Sequence, residues 1–356
     1  MIRSDLFGAP LLCLFVLITL SSCYNRQSED EDPMLPSLSY ESGVYIINQG
    51  SEQNTNNTGT ISFYERENER TLASVFRTEN PGRELGNRLQ SMTVFNGRAY
   101  FVVTNTRRVE IATIDDFKYL GTITNLDRPK YFLPINSNKA YVSQWGADVT
   151  VGSIQVIDLT TNAILKEIPT RPGPEKMIRQ GDFIYVCNTG GFLLDSVITK
   201  INVLTDEIVK TIEVGLSPHR IEIDRNEDLW VITRGFKNGL DEREGRLCLL
   251  QNDEVNLSLP VPAGAGNLVI NQSKNRLFYT MQGGVYDHQI NQSILSQAPF
   301  INFPYTTLGL DPVTNWLFAS DAINFASNGQ VTVYNSGGQE VNAFSVGVVP
   351  IEFWFQ

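Results

Sequence analysis

The sequence predicts a single all-β domain, a seven-bladed β-propeller of four-stranded blades, over residues 43–356. Three observations predict it: a recurring aromatic-centred strand, an offset between the start and the stop of that repeat, and the lack of helical periodicity. The recurring segment sets an aromatic after a short lead-in and before β-branched residues. It reads Gly43-Val44-Tyr45, Arg98-Ala99-Tyr100, Lys139-Ala140-Tyr141, Phe183-Ile184-Tyr185, Asp228-Leu229-Trp230, Arg276-Leu277-Phe278 and Trp316-Leu317-Phe318. The aromatics stand 40 to 55 residues apart, a spacing that marks propellers and solenoids. No stretch of a dozen residues combines a 3.6-residue period with caps, which argues against helical and α/β folds.

Each unit divides into short alternating runs separated by turn residues. In the unit at 139–181, Lys139 to Ser143 is one strand and Ser153 to Asp158 the next. Ala163 to Ile168 is the third, and Pro174 then opens the strand nearest the axis of the following blade. The opening proline recurs as Pro129, Pro218 and Pro350, and a residue without an N–H suits the first position of a strand. The first unit begins at its second strand, Val44 to Asn48, while Pro350 to Phe355 forms a spare inner strand. Pairing the two closes the ring and removes exposed sheet edges.

The segment before the propeller reads as targeting. Arg3 supplies a positive n-region, and Leu11 to Leu20 is an apolar run too short to span a membrane. It ends in Leu20-Ser21-Ser22-Cys23, which resembles the bacterial lipobox. Residues 1–22 are therefore expected to be a lipoprotein signal peptide, with Cys23 as the lipidated residue. Residues 23–42 are expected to be a disordered stalk; the acidic run Ser28 to Asp32 resembles the surface-export signal of Bacteroidetes lipoproteins. The expected location is the outer membrane, exposed at the cell surface, with the lipid as the only membrane contact. Cys187 and Cys248 sit in strand-like runs and read as buried, inert thiols rather than a disulfide framework. A formal charge of −11 argues against nucleic acid as a partner.

The two faces of the ring differ. One carries tight turns, such as Asn96-Gly97 and Gln180-Gly181-Asp182. The other carries the long irregular segments 48–59, 144–152, 188–196, 234–246 and 321–329, the loops 104–108 and 282–289, and inter-blade loops such as 77–90. Binding concentrates in long loops on a rigid scaffold. The loops of this second face sum to a formal charge of +1 although the chain carries −11. Near-neutral surface with arginines and aromatics marks recognition sites. Trp145 leads the candidates, because it follows a strand beside Gly146 where a core tryptophan is less expected. Tyr131, Tyr286, Tyr305, Phe325 and Phe236 extend the set. Arg83, Arg88, Arg171, Arg220 and Arg234 either line the face or form inter-blade salt bridges. Glu175, His219, Asn267 and Glu352 stand at the starts of inner strands, where they can face the channel. His288 reads as a hairpin residue; two histidines so placed make no zinc site, and no metal, cofactor or catalytic residue is expected.

The aromatic strand, the Gly-x-Ile-x-Val-Ile-Asp run at Gly152 to Asp158 and the Val203 to Pro218 segment resemble the YncE-like (YVTN) propeller family. More narrowly, Tyr45 to Gly50, Thr60 to Tyr64 and Leu85 to Ser91 resemble Bacteroidetes surface lipoprotein propellers. Some of those capture cobalamin and pass it to a TonB-dependent outer-membrane transporter. The resemblance implies a ligand-binding lipoprotein that captures a bulky nutrient, a corrinoid being the first candidate. Two alternatives stay open: an adhesion or scaffold propeller that binds protein or glycan, and a metal-dependent hydrolase of the lactonase kind, which would need carboxylates and amides converging on the axis.

Overall fold

A computed structural model describes residues 40, 42–51, 58–148 and 150–356. Cys23, the expected signal segment and the stalk as far as residue 39 lie outside the described residues.

Seven sheets surround one axis. The strands that open them, counted from the axis outward, are Leu89–Phe95, Pro129–Asn136, Pro174–Gln180, Pro218–Ile223, Gly266–Ile270, Thr307–Leu310 and Pro350–Phe355. The last of these pairs antiparallel with Gly43–Asn48, setting Val44 opposite Phe355 and Ile46 opposite Phe353. The expected closure is therefore present, and the first blade is built from two segments far apart in the chain. Arg66 reinforces it: its guanidinium donates to both carboxylate oxygens of Asp311 at 2.8 and 3.0 Å, and to the Gln356 carbonyl at 2.7 Å.

The recurring aromatics explain how the blades stack. Tyr45, Tyr100, Tyr141, Tyr185, Trp230, Phe278 and Phe318 all lie on second strands and are all buried. Several are tethered by their polar ends. The Tyr185 hydroxyl donates to Asp253 of the next blade at 2.8 Å, Tyr141 makes the equivalent bond to Asp206, and the Trp230 indole donates to Asp224 at 3.0 Å. A buried aromatic with a satisfied polar end fixes both the spacing and the angle of neighbouring sheets.

The seams between blades close at a glycine. A Cβ on Gly152 would stand 2.1 Å from Pro174 Cδ, one on Gly329 2.5 Å from Pro350 Cδ, and one on Gly59 2.3 Å from Leu89 Cβ. Each glycine stands at or beside the start of a third strand, and each partner opens the next inner strand. The Gly-x-Ile-x-Val pattern is thus a packing requirement.

Four features depart from the regular plan. The sixth blade has three strands, Gly266–Ile270, Arg276–Met281 and Gly284–Gln289, and its fourth is reduced to the single bridge Val285 to Ile301. Its second-to-third connection is the tight turn at Gln282 and Gly283, so the loop expected over 282–289 is mostly strand. In the fifth blade the expected loop 234–246 is a two-stranded ribbon, Phe236–Asn238 with Asp241–Arg243. The first inter-blade loop opens with the short helix Val75–Glu79, and Tyr40, expected in the stalk, is buried against Phe63 and Phe117 with its hydroxyl on Glu79 at 2.9 Å.

Candidate functional site

Six of the seven inner strands slip register near the end that faces the long loops. A β-bulge of this kind re-aims the extra residue. The residues skipped by the ladder include Lys130, Glu175, Lys176, His219, Asn267 and Ile351. Bulges therefore crowd charged and polar side chains around the loop-face mouth of the channel.

His219 is the centre of that crowd. Arg234 Nη2 lies 2.7 Å from its Nε2, Glu175 Oε2 lies 3.8 Å from its Nδ1, and Arg220 Nη1 donates to its backbone carbonyl at 3.1 Å. A guanidinium only donates, so Nε2 is assigned as the acceptor and the ring proton to Nδ1, on the Glu175 side. Burial, then the charges of Arg220, Arg234 and Lys176, hold the imidazole well below the usual histidine pKa. Beside it, Tyr131 is buried within its inner strand under Lys176 at 5.1 Å and Arg220 at 5.6 Å.

Lys176 Nζ meets Glu352 Oε1 at 3.4 Å, and Glu352 Oε2 accepts from the Met92 backbone at 3.1 Å. Lys176 belongs to the fourth blade and Glu352 to the first, so this ion pair spans the axis. From its level a cavity of about 260 Å³ runs toward Ile270, Leu310 and Phe355 at the far ends of the inner strands, with Arg220, Glu222 and Asn267 also on its wall. Burial raises the Glu222 carboxyl to about 7, against the opposing pull of Lys176, Arg220 and Lys274.

Outside the mouth lies an aromatic shelf. The Trp145 ring meets Phe192 edge-on at 5.3 Å, carries Lys130 Nζ at 3.7 Å, and lies flush against Gly191. Its indole nitrogen is buried without a hydrogen-bond partner among the described residues, while Phe192 is 67% exposed. Arg171 holds the shelf from behind: its Nε donates to both oxygens of the buried Asp195 at 3.0 and 2.8 Å, and Asp195 also caps the Ser196 backbone.

Trp145, Tyr131, Arg171, Glu175, His219, Arg220, Arg234, Asn267 and Glu352 thus gather at the mouth, channel and shelf. The other candidates do not. Tyr286 and Tyr305 are core residues: Tyr286 stacks on Tyr279, and the Tyr305 hydroxyl meets that of Tyr334 at 2.5 Å. Arg83 lies over Tyr119 at 3.5 Å and beside Glu110 on the outer part of the second blade, the inter-blade salt bridge that was the alternative for it. Arg88 takes a left-handed φ of 62° just before its inner strand. Phe236 is on the ribbon beneath Arg243 at 5.0 Å, and Phe325 is exposed on a loop of the seventh blade. Sequence reasoning missed Lys176, Glu222 and Phe192. The apolar run Phe192-Leu193-Leu194 inside a loop was the available signal for the last. His288 lies in a hairpin as expected, on the strand Gly284–Gln289 that pairs with Arg276–Met281, and is fully buried edge-on against Trp230 at 5.2 Å. Among the described residues no three His, Cys, Asp or Glu side chains are placed to hold a metal ion. Cys187 and Cys248 are free and buried, as expected.

These ionisations set a pH response. Burial depresses both His219 and His288 below 6.5. The unfolded chain then binds protons that the folded chain does not, so stability falls as pH drops below 6.5. Each histidine contributes at most about 1.4 kcal/mol per pH unit. Glu222 acts oppositely: between 4.5 and about 7 the folded chain keeps a proton that the unfolded chain releases. Urea unfolding followed from about pH 7.5 down to about pH 5 should show a net acid loss, and Glu222→Gln should steepen it. An unchanged slope in that variant would contradict the assignment.

The family of this fold is decided by one match: a domain of unknown function, DUF5074, aligns over residues 42–346. The chain belongs to the DUF5074 family. No curated protein matches it by sequence. Solved propellers resemble this DUF5074 chain in shape. A quinonprotein alcohol dehydrogenase-like protein from Bacteroides thetaiotaomicron is 16% identical with a TM-score of 0.66, covering 89% of this chain and 79% of its own. The periplasmic gluconolactonase of Pseudomonas aeruginosa is 11% identical with a TM-score of 0.62, covering 88% and 99%. Dihydro-heme d1 dehydrogenase NirN is 10% identical with a TM-score of 0.56, covering 89% and 75%. At such identities the likeness is one of fold, even though some of these propellers are enzymes. The YncE-like and corrinoid-capture resemblances remain matters of motif in this DUF5074 chain.

Proposed function

We propose that this DUF5074 propeller is a ligand-binding protein whose loop face takes a bulky polar molecule, with a corrinoid as the first candidate. One observation carries the reading: an exposed aromatic shelf, Trp145 with Phe192, adjoins a mouth crowded with Arg220, Arg234 and Lys176. A flat apolar surface beside fixed cationic donors suits a large ring system fringed with polar groups. The cavity of about 260 Å³ is too small for such a ring, so the ligand lies across the mouth. In this reading Cys23 anchors the protein to the outer membrane, and the ligand passes to a TonB-dependent transporter.

Calorimetric titration with cyanocobalamin tests it. Saturable binding is expected, weakened about thirtyfold by Trp145→Ala combined with Phe192→Ala, because an anchoring aromatic often carries about 2 kcal/mol. Ser137→Ala with Asn138→Ala, in a hairpin on the opposite face, should leave binding intact. The absence of both heat and a shift in melting temperature would rule out a corrinoid, and equal losses from both pairs would put the site elsewhere. In cells of the source bacterium, Cys23→Ser should release the chain from membranes; retention would remove the anchor.

A further inference from the structure

The ion pair across the axis leaves the channel beneath it with an unusual balance. Four charged side chains line the cavity: Lys176, Arg220, Glu222 and Glu352. Lys176 and Glu352 engage each other at 3.4 Å. Arg220 donates only through Nη1, to the backbone carbonyl of its neighbour His219. Its Nε and Nη2 donate to nothing among the described residues, and the Glu222 carboxyl likewise has no hydrogen bond or ion pair there. One cationic donor set and one carboxyl therefore remain unspent inside the same cavity.

Their spacing is fixed by the strand. Arg220 and Glu222 are two residues apart on Pro218–Ile223, so their side chains point the same way, about 6.7 Å apart along the strand. Leu308, Ile351 and Phe353 give the wall an apolar stretch within a lining that is otherwise largely polar. A lone anion in this cavity would satisfy Arg220 and face Glu222; a lone cation would do the reverse. Either leaves a like charge poorly solvated, which is costly in a confined site. A molecule carrying both charges avoids that cost. Four backbone bonds of an extended chain cover about 5 Å, enough to set an ammonium against Glu222 and a carboxylate against Arg220 with methylenes along the apolar stretch.

We propose that the central channel beneath the mouth holds a second ligand, a short ω-amino carboxylate bound between Arg220 and Glu222. It shares Arg220 and Lys176 with the mouth, but the proposal does not rest on what the shelf binds. Glu222 must be ionised to pair with the ammonium, and Lys176, Arg220, Lys274 and Glu352 are the charged groups that face or surround it. Affinity therefore rises as pH increases through about 7.

The test is calorimetry on the full chain with 4-aminobutyrate, and with butyrate and n-butylamine as single-charge controls. The zwitterion should bind at least about tenfold more tightly than either control, and more tightly at about pH 8 than at about pH 6. Glu222→Gln, nearly the same shape, should cost at least about tenfold and abolish the pH dependence, with its far-ultraviolet dichroism confirming the fold. Butyrate binding as well as the zwitterion would reduce the site to an anion pocket. Binding by none of the three, or full affinity in Glu222→Gln, would overturn the proposal.

Discussion

Removing residues 350–356 should lower the melting temperature by more than about 10 °C or prevent folding altogether. The strand Pro350–Phe355 supplies every inner-strand hydrogen bond of the first blade. Phe353 is buried, and Ile351 and Phe355 are partly so. Burying a large apolar side chain is worth about 1.5 to 3 kcal/mol. Loss of these three, and of Arg66's bond to Gln356, rivals the about 5 to 15 kcal/mol that holds a typical domain together. One kcal/mol moves the transition by about 2 to 4 °C in domains somewhat smaller than this. Calorimetric melting of the truncated chain decides the matter, and a midpoint within about 2 °C of the parent would contradict the closure.

Gly152→Ala should be strongly damaging, because it puts a methyl into a closed seam. Its Cβ would stand 2.1 Å from Pro174 Cδ and 2.8 Å from the Arg171 carbonyl. The proline ring cannot swing aside, because Pro174 starts an inner strand that opens on the bulge carrying Glu175 and Lys176. Overpacking of this kind costs about 1 to 3 kcal/mol, and the upper end applies where the neighbours are ring and backbone. Gly121→Ala is the contrast: its Cβ would come no nearer than 3.4 Å to Asn162 Nδ2, and the change should be neutral or slightly stabilising. Chemical denaturation of both variants measures the difference; equal effects would mean the seam tolerates the methyl.

The propeller was legible because its rules are periodic. Tyr141 and Trp230 advertise a repeat whatever their neighbours do, and the proline at 174 or 350 marks where a strand must start. The site was less legible, for a geometric reason. Alternation along a strand assigns faces by parity, and a bulge changes that parity just where His219, Glu175 and Lys176 sit. His219 was readable only because Pro218 marks the start of its strand. Lys176 and Glu222, one and three strand positions deeper, carry no such marker. Tyr286 and Tyr305 failed in the opposite sense. Their segment of the sixth blade is irregular in sequence, which suggested surface loops, yet each ring fills space between sheets. Trp145 kept its place as a surface aromatic, but its companion came from the next blade's loop, a neighbour that only the closed ring could reveal.

The composite first blade also changes how the molecule comes apart. An open stack of repeats frays from its terminal units, and its stability is close to a sum over nearest neighbours. Here Gly43–Asn48 and Pro350–Phe355 share one sheet, so no blade is terminal and every unit is clamped on two sides. A blade can leave only by breaking both of its seams at once, which makes loss of one tantamount to opening the circle. Amide exchange should accordingly report a single cooperative unit around the axis rather than a gradient from one side to the other.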